Sequence, residues 1–184
     1  MTARKASRRS RRSDAARIRT VGPSAWRNYL QRARETMWAM QRCAAEENYV
    51  ALAAIAPTCA IAAADTIVAR VAGVVARDED HAAAVELLLA HASELEGVQQ
   101  AAQHLHRLLA RKTAVQYGEE MVTASMAQDM LTHAERLLAW VEKQLEGQAG
   151  GVTEQWINEQ WINEQWINEQ WINEQWIVEK QLEG

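Results

Sequence analysis

Phenylalanine is missing from the 184 residues altogether, and the chain holds only two prolines, eight glycines and two cysteines. Each shortage closes off a class of structure. With so little Gly and Pro, long stretches are free of the residues that break helices. Two cysteines, Cys43 and Cys59, make neither a disulfide framework nor a metal site. Both sit inside apolar helical patterns, where a free thiol acts as a small hydrophobe, as in a reduced cytosolic protein. No uninterrupted apolar run reaches the roughly 18 residues that span a bilayer, so no membrane association is expected. The basic N-terminus is not followed by an apolar stretch and does not read as a secretory signal, which points to the cytoplasm.

What is present is alanine, the strongest helix former, within a hydrophobic share of 48%. That combination predicts an all-α fold whose helices approach closely through small side chains. Charge is unevenly spread. The net charge is -4. Residues 1–20 carry eight basic groups (Arg4, Lys5, Arg8, Arg9, Arg11, Arg12, Arg17, Arg19) against Asp14 alone, +7, which leaves -11 for the remainder. Residues 1–23 therefore read as a disordered basic arm with its own role. Arg8, Arg9, Arg11 and Arg12 are its candidate contacts to RNA or DNA phosphates. The arm has no aromatic group to stack on bases, so such binding would tolerate any sequence. A solubilising tail, or a tether to an acidic partner, explains it equally simply.

Residues 24–147 predict an antiparallel bundle of about five helices. The first runs from about Ala25 to Glu46 behind a Ser24 cap, with Trp26, Tyr29, Leu30, Ala33, Met37, Met40 and Ala44 on one face. The second, about Tyr49 to Val75, is apolar on nearly every side and so central; Pro57 should bend it. Asp65 is its conspicuous carboxylate. A third helix spans His81 to His91 and a fourth about Glu94 to Val115. After a loop at Gln116–Glu120, a fifth runs from Thr123 or Ser125 to about Leu145. His104 and His106 point about 200° apart on a helix and cannot chelate together. Asp78, Asp80 and His81 read as a charged helix start, not a metal site. No metal or cofactor is expected.

The segments AIAAADTIVARVAGVVARDEDHAAAVELL, LHRLLARKTAVQYG and QDMLTHAERLLAWVEKQL resemble the HEPN superfamily of helical-bundle proteins, in particular its small bacterial members. The resemblance covers about Trp26 to Leu145. It implies one of two roles: a dimeric ribonuclease marked by Arg, four to six residues, then His, or a noncatalytic RNA- or partner-binding module. This chain departs from the mark, because none of its five histidines follows an Arg at that spacing. Where it would fall stand Lys112 and Tyr117, with four residues between. Histidine titrates near 6.5 and shuttles protons at neutral pH, whereas tyrosine, near 10, does not. Asp65, Lys112 and Tyr117 are candidates for a polar cluster. It would be either a phosphate site or a buried ion pair, Asp65 with Lys112 or Arg111, that fixes helix register.

Residues 148–153 read as a glycine-containing linker, and 154–184 hold a WINEQ repeat, four full copies and a fifth Trp-Ile pair. Trp156, Ile157, Trp161, Ile162, Trp166, Ile167, Trp171, Ile172, Trp176 and Ile177 are its apolar groups. The closing Val178–Gly184 repeats Val141–Gly147 word for word. On a helix each copy advances about 140° net, so the tryptophans spread round the cylinder. Dense exposed Trp and Ile predict an interaction helix, for self-association or a partner protein, unless the repeat is a tolerated expansion that stays a sticky tail. The expected whole is a noncatalytic HEPN-like module, homo-oligomeric or bound to a partner, of the bacterial defence or toxin–antitoxin kind. The alternatives are an RNase with Lys112 and Tyr117 in place of Arg and His, and a filament former driven by the repeat.

Overall fold

The computed structural model describes residues 18–77, 81–117 and 121–148. The basic arm's Arg8, Arg9, Arg11 and Arg12, and the whole WINEQ repeat, lie outside the described residues. Five helices and one two-stranded sheet make up the described chain: β1 (Ile18–Thr20), α1 (Ala25–Ala45), α2 (Tyr49–Ala72), β2 (Val74–Ala76), α3 (His81–His91), α4 (Val98–Tyr117) and α5 (Ala124–Gln148). The fold is thus mostly helical, as the composition implies. Its first unit ends at Gln144; of the second, only 145–148, the last turn of α5, is described.

α1 and α2 form an antiparallel pair joined by three residues. Glu47 adopts a left-handed φ of 55°. Its N–H reaches the Ala44 carbonyl at 3.2 Å, while the Asn48 N–H reaches that of Cys43 at 2.8 Å. These bonds form the two-bond stop that usually places glycine at the left-handed residue. Asn48 then caps α2, its side chain accepting from the Ala51 N–H at 3.4 Å. Ser24 behaves differently from expectation. It is already helical, at φ -96° and ψ -5°, and makes no side-chain cap.

α2 is the core. Leu52, Ala53, Ala56, Cys59, Ala60, Ala63, Ala64, Ile67 and Val68 are all buried on it. Pro57 lies inside the helix, also buried, and the helix continues past it. By length and composition α2 could cross a membrane, which corrects the expectation that no segment is long and apolar enough. In the fold, however, 61% of its apolar window is covered by other elements. Against it lies α1 with Ala33, Met37 and Met40 buried. The Cys59 thiol donates to the Ala33 carbonyl at 3.4 Å, a contact of side chain with backbone at a fully buried alanine.

The expected helix through Val75 stops earlier. Gly73 takes a left-handed φ of 66° and its N–H closes on Ala69. The Val74-Val75 pair then favours extended backbone, since branching at Cβ crowds a helix. β2 runs antiparallel to β1 with Arg19 opposite Val75, and the Val21 N–H extends the ladder to the Gly73 carbonyl at 2.9 Å. Residues 18–20, expected within a structureless arm, are therefore a strand. α4 begins at Val98, not Glu94. Residues 94–97 form a turn in which Gly97 is left-handed, φ 79°. At the start of α5 the Thr123 hydroxyl accepts from the Met126 N–H at 3.2 Å, the cap expected at Thr123 or Ser125.

Side chains fix how α5 lies. Arg34 pairs with Glu142 at 2.8 Å and Gln41 with Glu135 at 3.3 Å, so α5 runs antiparallel to α1. The Trp140 indole N–H donates to the Glu96 carbonyl at 2.8 Å, joined by Gln144 at 3.2 Å. That indole also closes over Gly97, where an added Cβ would stand 3.3 Å from Nε1. Two substitutions test this backbone chemistry in opposite directions. Gly97→Ala should destabilise by about 1–3 kcal/mol, from left-handed strain plus the indole contact. Glu47→Gly should stabilise by about 0.5–1 kcal/mol, because glycine takes the left-handed stop without strain. Urea unfolding of both variants, read by circular dichroism, gives the signs.

Candidate functional site

Two polar centres stand out, one on β1, α1 and α2 and the other on α4 and α5. The first surrounds Asp65, half-buried on α2. Burial pushes its carboxyl up to about 7, against the opposing pull of the Arg19 and Arg32 guanidinium groups. Arg19 projects from β1 and donates to the Tyr29 hydroxyl at 3.0 Å. Beside it the Arg70 guanidinium stacks 4.8 Å from the centre of the Trp26 ring, and Arg27 lies 5.0 Å from the same ring. This corner is built by β1, the start of α1 and the end of α2. Burying a carboxylate is costly without a close partner, so proton uptake is the cheaper response.

Lys112 is half-buried towards the end of α4, and Tyr117 is the last residue of that helix, not part of a loop. The Tyr117 side chain lies outside the described ones. Among the described residues Asp65 forms no ion pair with Lys112; the arginines that bear on it are Arg19 and Arg32. The spacing pattern had singled out neither. By sequence Arg19 falls in the basic arm, and strand β1 brings it to bear on Asp65 of α2.

The second centre was missed. His104 of α4 and His133 of α5 bring their Nδ1 atoms to 2.9 Å, with ring centroids 5.1 Å apart. Two ring nitrogens at that distance share one proton: one donates, the other accepts. Desolvation by burial lowers the pKa of both. His104 is lowered further by His133, Arg136 and Arg107, and His133 by Arg107, Arg136 and Arg111, with Asp129 pulling the other way. The signal was in the pattern. His104 falls three residues after buried Ala101 and four before buried Leu108, and His133 likewise sits between Met130 and Leu137. Both occupy the apolar stripe of their helices. The expectation that His104 and His106 do not act together agrees with this arrangement, because His104 turns inward and His106 outward.

Beside the pair runs an open groove of about 430 Å³ lined by His106, Arg107, Leu108, Ala110, Arg111, Asp129, Met130 and His133. Among the described residues no group of three or more His, Cys, Asp or Glu is placed to hold a metal ion. Asp78 and Asp80, and the His81 side chain, are outside the described ones. Cys59 is no nucleophile: burial raises its thiol to about 11, only partly offset by Thr36. Comparison with protein families, with characterised proteins and with solved structures finds no match.

The Asp65 carboxyl has a definite consequence for stability. Its folded pKa lies above the unfolded value of 3.8, so the folded chain binds the extra proton between about pH 4 and pH 7. The protein should therefore lose stability as pH rises through that window. Asp65→Asn removes this slope. It should be more stable than the parent by about 1–3 kcal/mol at pH 8 and equal to it near pH 4. Denaturant midpoints measured at both pH values check this, and a destabilised Asn variant at pH 8 contradicts it.

Proposed function

We propose that the chain is a noncatalytic HEPN-like helical module that associates with itself or with a partner protein, of the bacterial defence or toxin–antitoxin kind. The observation that carries the association is Trp38, which is 65% exposed on α1, a helix whose neighbouring Met37 and Met40 are buried. Tryptophan is a leading contributor to interface energy, and an isolated indole in water is poorly used. The WINEQ tryptophans would add a second contact surface of the same chemistry. The noncatalytic half rests on the resemblance and on Tyr117. A nuclease of that kind needs an imidazole where this chain has a phenol. The basic arm supplies a sequence-tolerant hold on nucleic acid without chemistry.

Two experiments test this reading. Labelled RNA incubated with the purified chain should stay intact. Cleavage that disappears in Lys112→Ala and Tyr117→Phe would instead establish the nuclease alternative. Light scattering of the full chain should give a mass above that of one copy. Trp38→Ser, or ending the chain after Gln148, should lower that mass while leaving the helical circular dichroism unchanged. A full chain of monomeric mass removes the self-association half.

A further inference from the structure

We propose that the groove between α4 and α5 is a phosphate-binding site, in which Arg107 and Arg111 hold the anion and His133 donates to it. This goes beyond the association reading and does not depend on it. On α4, Arg107 and Arg111 stand four residues apart on one helical face, and both line the groove. Among the described residues neither is in an ion pair, so two guanidinium groups flank one concavity without a protein carboxylate bound to them. Guanidinium is the side chain best matched to a phosphoryl group, since its fork of N–H donors meets two oxygens at once. Asp129 on the facing helix also lines the groove and opposes the anion in part.

The histidine pair makes the site more than a basic patch. The Nδ1 atom of His133 is committed to His104, which leaves Nε2 as its free nitrogen. When His104 is the Nδ1 donor, neutral His133 must carry its proton on Nε2 and so presents an N–H. Reversing the shared bond would instead leave a bare lone pair on His133 Nε2. An anion in the groove selects the first arrangement, with no change in net charge. His104 is buried and its ring is tilted 39° from that of His133, so it acts as a positioning residue that fixes its neighbour's tautomer. The groups facing the pair are otherwise cationic (Arg107, Arg111 and Arg136), apart from Asp129. Burial first, and then their repulsion, favours the neutral imidazoles, and a bound anion would offset the repulsion. A bound phosphate should then raise the pKa of His133.

The volume, about 430 Å³, suits a phosphoryl group with a small organic body. The shared chemistry is the phosphoryl group, either free phosphate or a phosphate monoester.

The test uses the full chain labelled with nitrogen-15, followed by nuclear magnetic resonance of the histidine side chains. Inorganic phosphate and a nucleoside 5′-monophosphate are titrated separately at constant ionic strength, with chloride as the control. Saturable shifts of the His133 ring, with its titration moved to higher pH, are expected with one or both ligands. Tighter binding of the monophosphate identifies an ester as the natural source, and equal binding identifies free phosphate. Arg111→Gln should weaken binding about tenfold, and Asp129→Asn should tighten it several-fold. His104→Gln should alter the His133 tautomer signature while leaving Arg111-dependent binding measurable. Shifts no larger than those with chloride, or affinity unchanged in both Arg111→Gln and Asp129→Asn, overturn the proposal.

Discussion

Everything in the described chain depends on how closely α1 can approach α2. The hydrogen bond from the Cys59 thiol to the Ala33 carbonyl measures that approach. A side chain on one helix touches the backbone of the other, beside buried Ala33 and the small residues along α2. Interiors are packed like crystals, so a surface made of Ala, Cys and Thr has to be met by backbone at short range. A larger residue at Ala33 would separate the helices. It would also disturb the carboxylate corner, because Arg32 is its chain neighbour and acts on Asp65 from α1. Core packing and the electrostatics of Asp65 are two consequences of one interhelical distance.

The helices were legible because their apolar residues recur at three and four. Met130, Ala134, Leu137, Leu138 and Val141 recur at three- and four-residue spacing along α5 and are buried there. What escaped reading was tertiary in origin. β2 exists because Gly73 turns left-handed and because Ile18–Thr20 happens to lie alongside. Three extended residues give too short a pattern to distinguish from the frayed end of a helix. The start of α4 was misplaced for a similar reason. Gly97 ends a turn that Trp140, more than forty residues later in the chain, holds in place.

The candidate site divides along the same line. Asp65 is visible as a charge inside an apolar helix, and burial there raises its pKa. Its neighbours were not visible, because the strand that delivers Arg19 had been read as part of a tail. The histidine pair shows the opposite case. His104 and His133 each sit on an apolar stripe, so each alone reads as a core histidine satisfied by something unspecified. Their partnership emerges only once α4 and α5 are known to run antiparallel with 104 beside 133. Searching for a fixed spacing along one helix could not find it.

The cost of that pair constrains what the groove can be for. Two half-desolvated imidazoles beside three arginines are electrostatically unfavourable when protonated, and their lowered pKa values express this. A fold concerned only with stability would fill positions 104 and 133 with leucine, since adjacent Leu105, Leu108 and Leu137 are already buried. Keeping a shared proton there, next to Arg107 and Arg111, which form no ion pair among the described residues, trades stability for a donor whose direction is fixed by its partner. Such a donor binds an anion more strongly than a neutral acceptor. The arrangement of charge thus fits the anion proposed for the groove, whatever α1 or the repeat contacts.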